Sequence, residues 1–144
     1  MRKSATVVVL QNGEDDSDRC REELAENFSV VLSTTDYAAA IEAIEKEKPD
    51  FLITSLFVSG VDGVYVVKRA KELSEKTKCI VTDSIISTEL ISLILSAGAS
   101  LFIEKPIDFG ALKESLSELC RNESGVSRRV IYADSTDENA ERDR

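Results

Sequence analysis

Ser96-Ala97-Gly98-Ala99-Ser100-Leu101-Phe102-Ile103-Glu104-Lys105-Pro106 holds a helix end, a strand and a turn in succession. Gly98 stops the helical run before it, since glycine readily takes the left-handed backbone that closes a helix. Leu101-Phe102-Ile103 is an apolar run of strand length. Pro106 lacks the amide needed to carry a regular element onward. Upstream, Ser87 can cap the helix that ends at Ala97. Downstream, Asp108 can cap a last helix whose inner face is Phe109, Leu112, Leu116 and Leu119.

The same strand-then-helix unit recurs toward the N-terminus. Val7-Val8-Val9-Leu10 reads as a strand buried on both faces, followed by Cys20, Leu24 and Phe28 at helical spacing. Val30-Val31-Leu32 is a second strand. Thr35 or Asp36 can cap the helix carrying Ile41 and Ile44, which Pro49 prevents from continuing. Phe51-Leu52-Ile53 is a third strand, with Gly60 and Gly63 in the loop after it. A helix follows from Val64 to Ser74, with Val67, Ala70 and Leu73 in its stripe, and Cys79-Ile80-Val81 is the fourth strand. Strict alternation implies a parallel sheet with helices on both faces. Right-handed crossovers leave the flavodoxin-like (βα)5 three-layer sandwich, strand order 2-1-3-4-5, as the expected fold. Its crevice opens beyond the carboxyl ends of the strands, at the loops after Leu10, Thr54 and Val81.

Residues 1–121 are expected to form this domain. The segment 122–144 is polar and carries both charge signs, which reads as a disordered C-terminal tail. Its apolar island, Val130-Ile131-Tyr132, has a second reading: a short strand on a sheet edge or on a partner.

The net charge of -9 repels phosphate backbones and anionic lipid, so neither nucleic acid nor a membrane surface is an expected partner. Cys20, Cys79 and Cys120 form no CxxC pair, and their odd number suits a reducing cytoplasm better than a disulfide framework. No apolar run is long enough to span a bilayer. The chain has no histidine, which removes histidine-based acid–base and triad chemistry.

The stretch from Pro49-Asp50 through Phe51-Leu52-Ile53-Thr54-Ser55 to Gly60-Val61-Asp62-Gly63 resembles the third strand and following loop of response-regulator receiver domains of the CheY-like kind. The stretch from Ser96 to Pro106 resembles that family's path into its Lys-Pro pair. With the βα units, the resemblance covers residues 5–121. It implies a signalling module of two-component phosphorelays. In such a module two acidic residues after the first strand bind Mg²⁺, an aspartate after the third takes the phosphoryl group, and a Thr or Ser after the fourth and a Lys after the fifth contact it. It also implies a cis bond at Lys105-Pro106.

Most of those positions differ here. The acidic pair falls on Gln11 and Asn12, the acceptor on Ser55 and the Thr/Ser position on Asp83. Lys105 and Pro106 remain, and the switch aromatic falls on Phe102. Neutral oxygens hold Mg²⁺ far more weakly than carboxylates, so weak or absent Mg²⁺ binding is expected. Ser55 has no histidine base to activate it. Asp83 and Lys105 are expected to share the emptied pocket, either as an ion pair that clamps it or as solvated rim groups. Glu14, Asp15 and Asp16 suit a solvated loop and the positive N-terminal end of a helix better than displaced metal ligands.

The helix after Ser87 carries more apolar surface than one sheet-facing stripe needs: Leu90, Ile94 and Ala97 share a stripe, with Ile91 beside it, and Leu93 and Leu95 point elsewhere. Leu90, Leu93, Ile94 and Leu95 are therefore candidate interface residues on the fourth-helix/fifth-strand/fifth-helix face, for a signalling partner or a second copy. The expected function is a single-domain atypical receiver, not an enzyme, acting by phosphorylation-independent protein contact. Two other readings stay open: an active phospho-receiver with displaced Mg²⁺ and acceptor residues, and a small-ligand binder or enzyme using the switch-point crevice.

Overall fold

The computed structural model describes residues 4–58, 60–84, 87–121 and 129–131. Strands β1 (Thr6–Leu10), β2 (Ser29–Thr34), β3 (Phe51–Ser55), β6 (Lys78–Asp83) and β7 (Ala99–Glu104) alternate with helices α1 (Glu14–Leu24), α2 (Tyr37–Glu47), α3 (Gly63–Leu73), α4 (Thr88–Ser96) and α5 (Phe109–Arg121). A two-residue hairpin, β4 (Phe57–Val58) and β5 (Val61–Asp62), is inserted before α3, so the fourth and fifth strands expected from sequence are β6 and β7. The main sheet runs β2-β1-β3-β6-β7-β8, where β8 is Arg129–Ile131, and its pairs are all parallel. This is the α/β flavodoxin-like fold expected from the alternation. No helix among the described residues is long and apolar enough to cross a membrane.

Burial explains the alternation. Val8, Leu10, Leu52, Val81 and Phe102 pack under α2, α3 and α4; Val7, Val9, Ile53, Ile80 and Ile103 pack under α1 and α5. Strands buried on both faces need continuous apolar runs, which is what β1, β3 and β6 have. Asp36 caps α2 by accepting the Ala38 N–H at 3.1 Å, Ser87 caps α4 through the Leu90 N–H at 3.3 Å, and Asp108 accepts the Ala111 N–H at 3.0 Å. Gly98 takes φ 122, as its place after α4 requires.

For residues 129–131 the disordered-tail expectation is corrected and the second reading, a short strand on a sheet edge, holds. Residues 129–131 of the tail read as disordered form an edge strand, with Leu101 opposite Arg129, Phe102 opposite Val130 and Ile103 opposite Ile131. Val130 and Ile131 are β-branched and half-buried, one against each core layer. That apolar pair outweighs the polar composition around it. Tyr132 and the rest of 122–144 lie outside the described residues. Ordering three residues costs about 3–6 kcal/mol. Half-burying a Val and an Ile offsets about 2 kcal/mol, and a few ladder hydrogen bonds about 1 kcal/mol each. The strand is held at the margin.

Two contacts fix the frame of the sheet. Asp50 accepts the Thr6 N–H at 2.8 Å and the Lys76 ammonium at 3.1 Å, joining the start of β1 to the entry of β3. Burial pushes the Asp50 carboxyl up, but the Thr6 and Lys76 contacts outweigh it and hold the group below its ordinary value. A depressed carboxylate contributes stability above its unfolded pKa of about 4, and loses it as pH falls through the folded value. Asp50→Asn should therefore open a gap in urea midpoint at pH 7 that closes toward pH 3; a gap independent of pH would contradict this assignment. At the hairpin, the Gly63 N–H donates to the Leu56 carbonyl, and a Cβ on Gly63 would lie 2.6 Å from that oxygen. Gly63→Ala should cost about 1–3 kcal/mol and lower Tm by about 5–10 °C in a thermal melt. An unchanged Tm would show that the hairpin gives way freely.

Candidate functional site

Ladder register sets one polar row across the carboxyl ends of the strands. Leu10 lies opposite Thr54, Ser55 opposite Thr82, and Thr82 opposite Ile103. Side chains on neighbouring strands in register share a face. Gln11, Ser55, Thr82 and Lys105 thus continue the α1/α5 layer that Val9, Ile53, Ile80 and Ile103 fill below them. The hydroxyl that β6 brings to this row, beside that of Ser55, is Thr82. This corrects the expectation for Asp83, which lies opposite Glu104 and alternates to the other face with Val81 and Phe102. Counting along the chain missed this by one residue because pairing with β3, not chain distance, sets the row.

Ser55 is 3% exposed, and its Oγ accepts the Asn12 backbone N–H at 3.0 Å and lies 3.4 Å from Lys105 Nζ. Lys105 Nζ is also 3.1 Å from Asp16 Oδ2. Of the two arrangements expected for Asp83 and Lys105, the clamp is not the one formed: the carboxylate on Lys105 comes from Asp16 in the first turn of α1, which overhangs the row. The Lys105 backbone N–H donates to the Asp83 carbonyl at 2.8 Å. Asp16 is more than half exposed, so the pair is screened and worth about 1 kcal/mol or less. Glu14 and Asp15 remain exposed at the start of α1. Pro106 is exposed and joined to Lys105 by a cis bond, as the resemblance implied.

Gln11 is fully buried. Its Nε2 donates to the Leu10 carbonyl at 3.2 Å and to Thr82 Oγ1 at 3.4 Å, while Oε1 has no partner among the described residues. Asn12 is exposed and reaches the row only through its backbone N–H. Burial pushes the Cys20 thiol, below this row, up to about 12, which leaves it an unreactive core group. Sequence reasoning missed Thr82 and the Asp16 contact. The Val81-Thr82 end of β6 carried the signal for the first; the second depends on how α1 leans over the sheet, which no local pattern carries.

The candidate interface divides. Phe102 is 1% exposed and covered by Val130. Ile94 is fully buried and cannot contact a partner, which corrects that part of the expectation; Ile91 and Ile94 together form the inward stripe of α4. Leu90 and Leu95 are half-buried, and Leu93 is 58% exposed. The stripe turns by one residue because α4 packs on β7 through Ile91 rather than Leu90.

An orphaned buried acceptor costs about 1–3 kcal/mol. Gln11→Met keeps the volume and removes the orphan, so urea unfolding should show equal or greater stability, by up to about 1 kcal/mol. A loss above about 2 kcal/mol would mean that Oε1 is satisfied in solution.

The profile of the response regulator receiver domain matches residues 7–117. The probable C4-dicarboxylate response regulator DctR of Priestia megaterium is 23% identical over 119 residues, covering 81% of this chain and 52% of that protein. Sporulation initiation phosphotransferase F of Bacillus subtilis is 24% identical over 79 residues, covering 55% of this chain and 64% of that protein. The chain thus spans about half to two thirds of the length of these relatives. Among solved structures, a two-component response regulator from Clostridium difficile superposes with a TM-score of 0.77 at 18% identity, over 84% of this chain and 99% of that one. With the fold and the profile match in agreement, the chain belongs to the response regulator receiver domain family.

Proposed function

We propose that this chain is an atypical receiver, a signalling module that works through protein contacts and takes up no phosphoryl group at its strand-end row. The observation that carries this reading is Ser55. Where β3 ends, the chain offers a buried hydroxyl already held by the Asn12 N–H and near Lys105 Nζ. Transfer from a phosphohistidine needs a nucleophile; a serine hydroxyl is a weak one unless an adjacent base takes its proton. The chain has no histidine, and no carboxylate among the described residues bonds to Ser55 Oγ.

A magnesium ion, which the family resemblance implies, finds a poor donor set here. Gln11 and Asn12 bring amides, Ser55 a hydroxyl, and Lys105 a positive charge within 3.4 Å of Ser55. Among the described residues no three Asp, Glu, His or Cys side chains converge on one point. Mg²⁺ dehydrates reluctantly and favours carboxylate or phosphate oxygens. With no nucleophile–base pair in the crevice among the described residues, the same facts favour a binding module over an enzyme. Leu93, the exposed apolar residue of α4, marks the face offered to a partner.

One observation favours a second reading. Asp16 stands 3.1 Å from Lys105, so it is the carboxylate that a displaced acceptor would use. Incubation with acetyl phosphate and Mg²⁺ followed by intact-mass measurement separates the two. The proposal expects no stoichiometric addition of a phosphoryl group. A hydroxylamine-sensitive adduct, abolished by Asp16→Asn, would replace the proposal with the second reading.

A further inference from the structure

Asn12 joins β1 to α1 and is followed by Gly13. The side-chain carbonyl carbon of an asparagine and the backbone nitrogen of the next residue can close into a succinimide ring. A Cβ on that next residue hinders the approach, and glycine has none. Asn12 is exposed, and its side chain makes no hydrogen bond among the described residues; its N–H donates to Ser55 Oγ at 3.0 Å. The Gly13 N–H also donates to no group among the described residues, and nothing lies within 4 Å of where a Cβ would stand.

The same chemistry is closed elsewhere. Asp62-Gly63 has the glycine, but the Gly63 N–H donates to the Leu56 carbonyl and a Cβ there would lie 2.6 Å from that oxygen. Asn27 is followed by Phe28, whose side chain is buried and whose N–H donates to the Leu24 carbonyl at 2.9 Å. Among the described residues, Asn12-Gly13 is therefore the one asparagine or aspartate followed by a glycine with an unengaged nitrogen.

We propose that Asn12-Gly13 is a self-modification site, at which the Gly13 nitrogen displaces the Asn12 side-chain amide and water opens the ring to a carboxylate at position 12. The bond that forms joins the Gly13 nitrogen to Asn12 Cγ; the bond that breaks is Cγ–Nδ2. The Gly13 nitrogen gives up its proton, and the amide leaves as ammonia. Water then adds to either carbonyl of the succinimide. Opening on one side leaves aspartate; opening on the other leaves isoaspartate, whose backbone runs through Cβ and is longer by one atom. Nothing is oxidised or reduced, and water is the co-reactant.

Either product puts a negative charge on the residue whose backbone holds Ser55. Ser55 Oγ is 3.4 Å from Lys105 Nζ, which Asp16 approaches at 3.1 Å. The new carboxylate competes with Asp16 for that ammonium. Isoaspartate also lengthens the path into α1, whose first turn carries Asp16. The conversion happens once per molecule, so the charge of the row records the age of the protein.

Because the charge of the row is what changes, this rests on the reading of its strand ends as lacking carboxylates. The phosphodonor assay on freshly made protein tests that reading, whereas the conversion is read without phosphate or metal, so the two fail separately. The full chain is held for weeks in neutral buffer and digested, and the peptide containing residue 12 is weighed and treated with an isoaspartyl methyltransferase. A growing fraction should carry acid in place of amide, part of it methylatable, while the peptide containing Asn27 keeps its amide. Gly13→Ala fits the open space and the extended φ of -135, and should slow the conversion at least about tenfold. Amide signals of Ser55 and Lys105 should move in the converted fraction, and Asn12→Asp should reproduce the shifts of the aspartate product. No conversion at residue 12, conversion of Asn27 at the same rate, or an unchanged rate in a folded Gly13→Ala would overturn the proposal. So would a converted fraction whose Ser55 and Lys105 signals stay in place, for the charge then does not reach the row.

Discussion

Burial of β1, β3, β6 and β7 on both faces is the constraint from which the rest of the molecule follows. A parallel sheet between two helical layers leaves its strands almost no polar surface along their length. Polar side chains collect where the strands end, and Gln11, Ser55, Thr82 and Lys105 are those that ladder register brings into one row. The charge of that row then decides what it can hold. Here it has one ammonium, one hydroxyl that the ammonium approaches, and one carboxylate reaching in from α1.

Much of the fold was legible because continuous apolar runs and period-3.6 apolar patterns are local signals. The runs Val7–Leu10, Phe51–Ile53 and Leu101–Ile103 each declare a strand, and Asp36, Ser87 and Asp108 each declare a helix start. The site was legible only in part. Ser55, Gln11 and Lys105 lie at strand ends that a pattern can locate. Thr82 needed the pairing of β6 with β3, and the Asp16–Lys105 contact joins residues far apart in sequence, set by how α1 leans over the sheet. The inward stripe of α4 was misjudged by one residue, since a helix this apolar carries two plausible stripes and packing on β7 selects the one through Ile91 and Ile94.

The edge strand shows a different limit. Composition averages over a segment, and 122–144 averages to a polar chain. Two β-branched residues suffice for a strand when a sheet edge is waiting and both core layers accept one side chain each. The face that the sequence pointed to as an interaction surface is consequently occupied at its centre, with Leu93 exposed at its margin.

The central claim is that the row lacks the charge to hold a divalent cation. Titrating Mg²⁺ while following the backbone amide signals of Asn12 and Ser55 tests it directly. The account predicts no saturable shift up to about tens of millimolar, since a lone carboxylate already paired with an ammonium holds Mg²⁺ poorly. A saturable shift of both amides at about 1 mM or below, lost in Asp16→Asn, would contradict it.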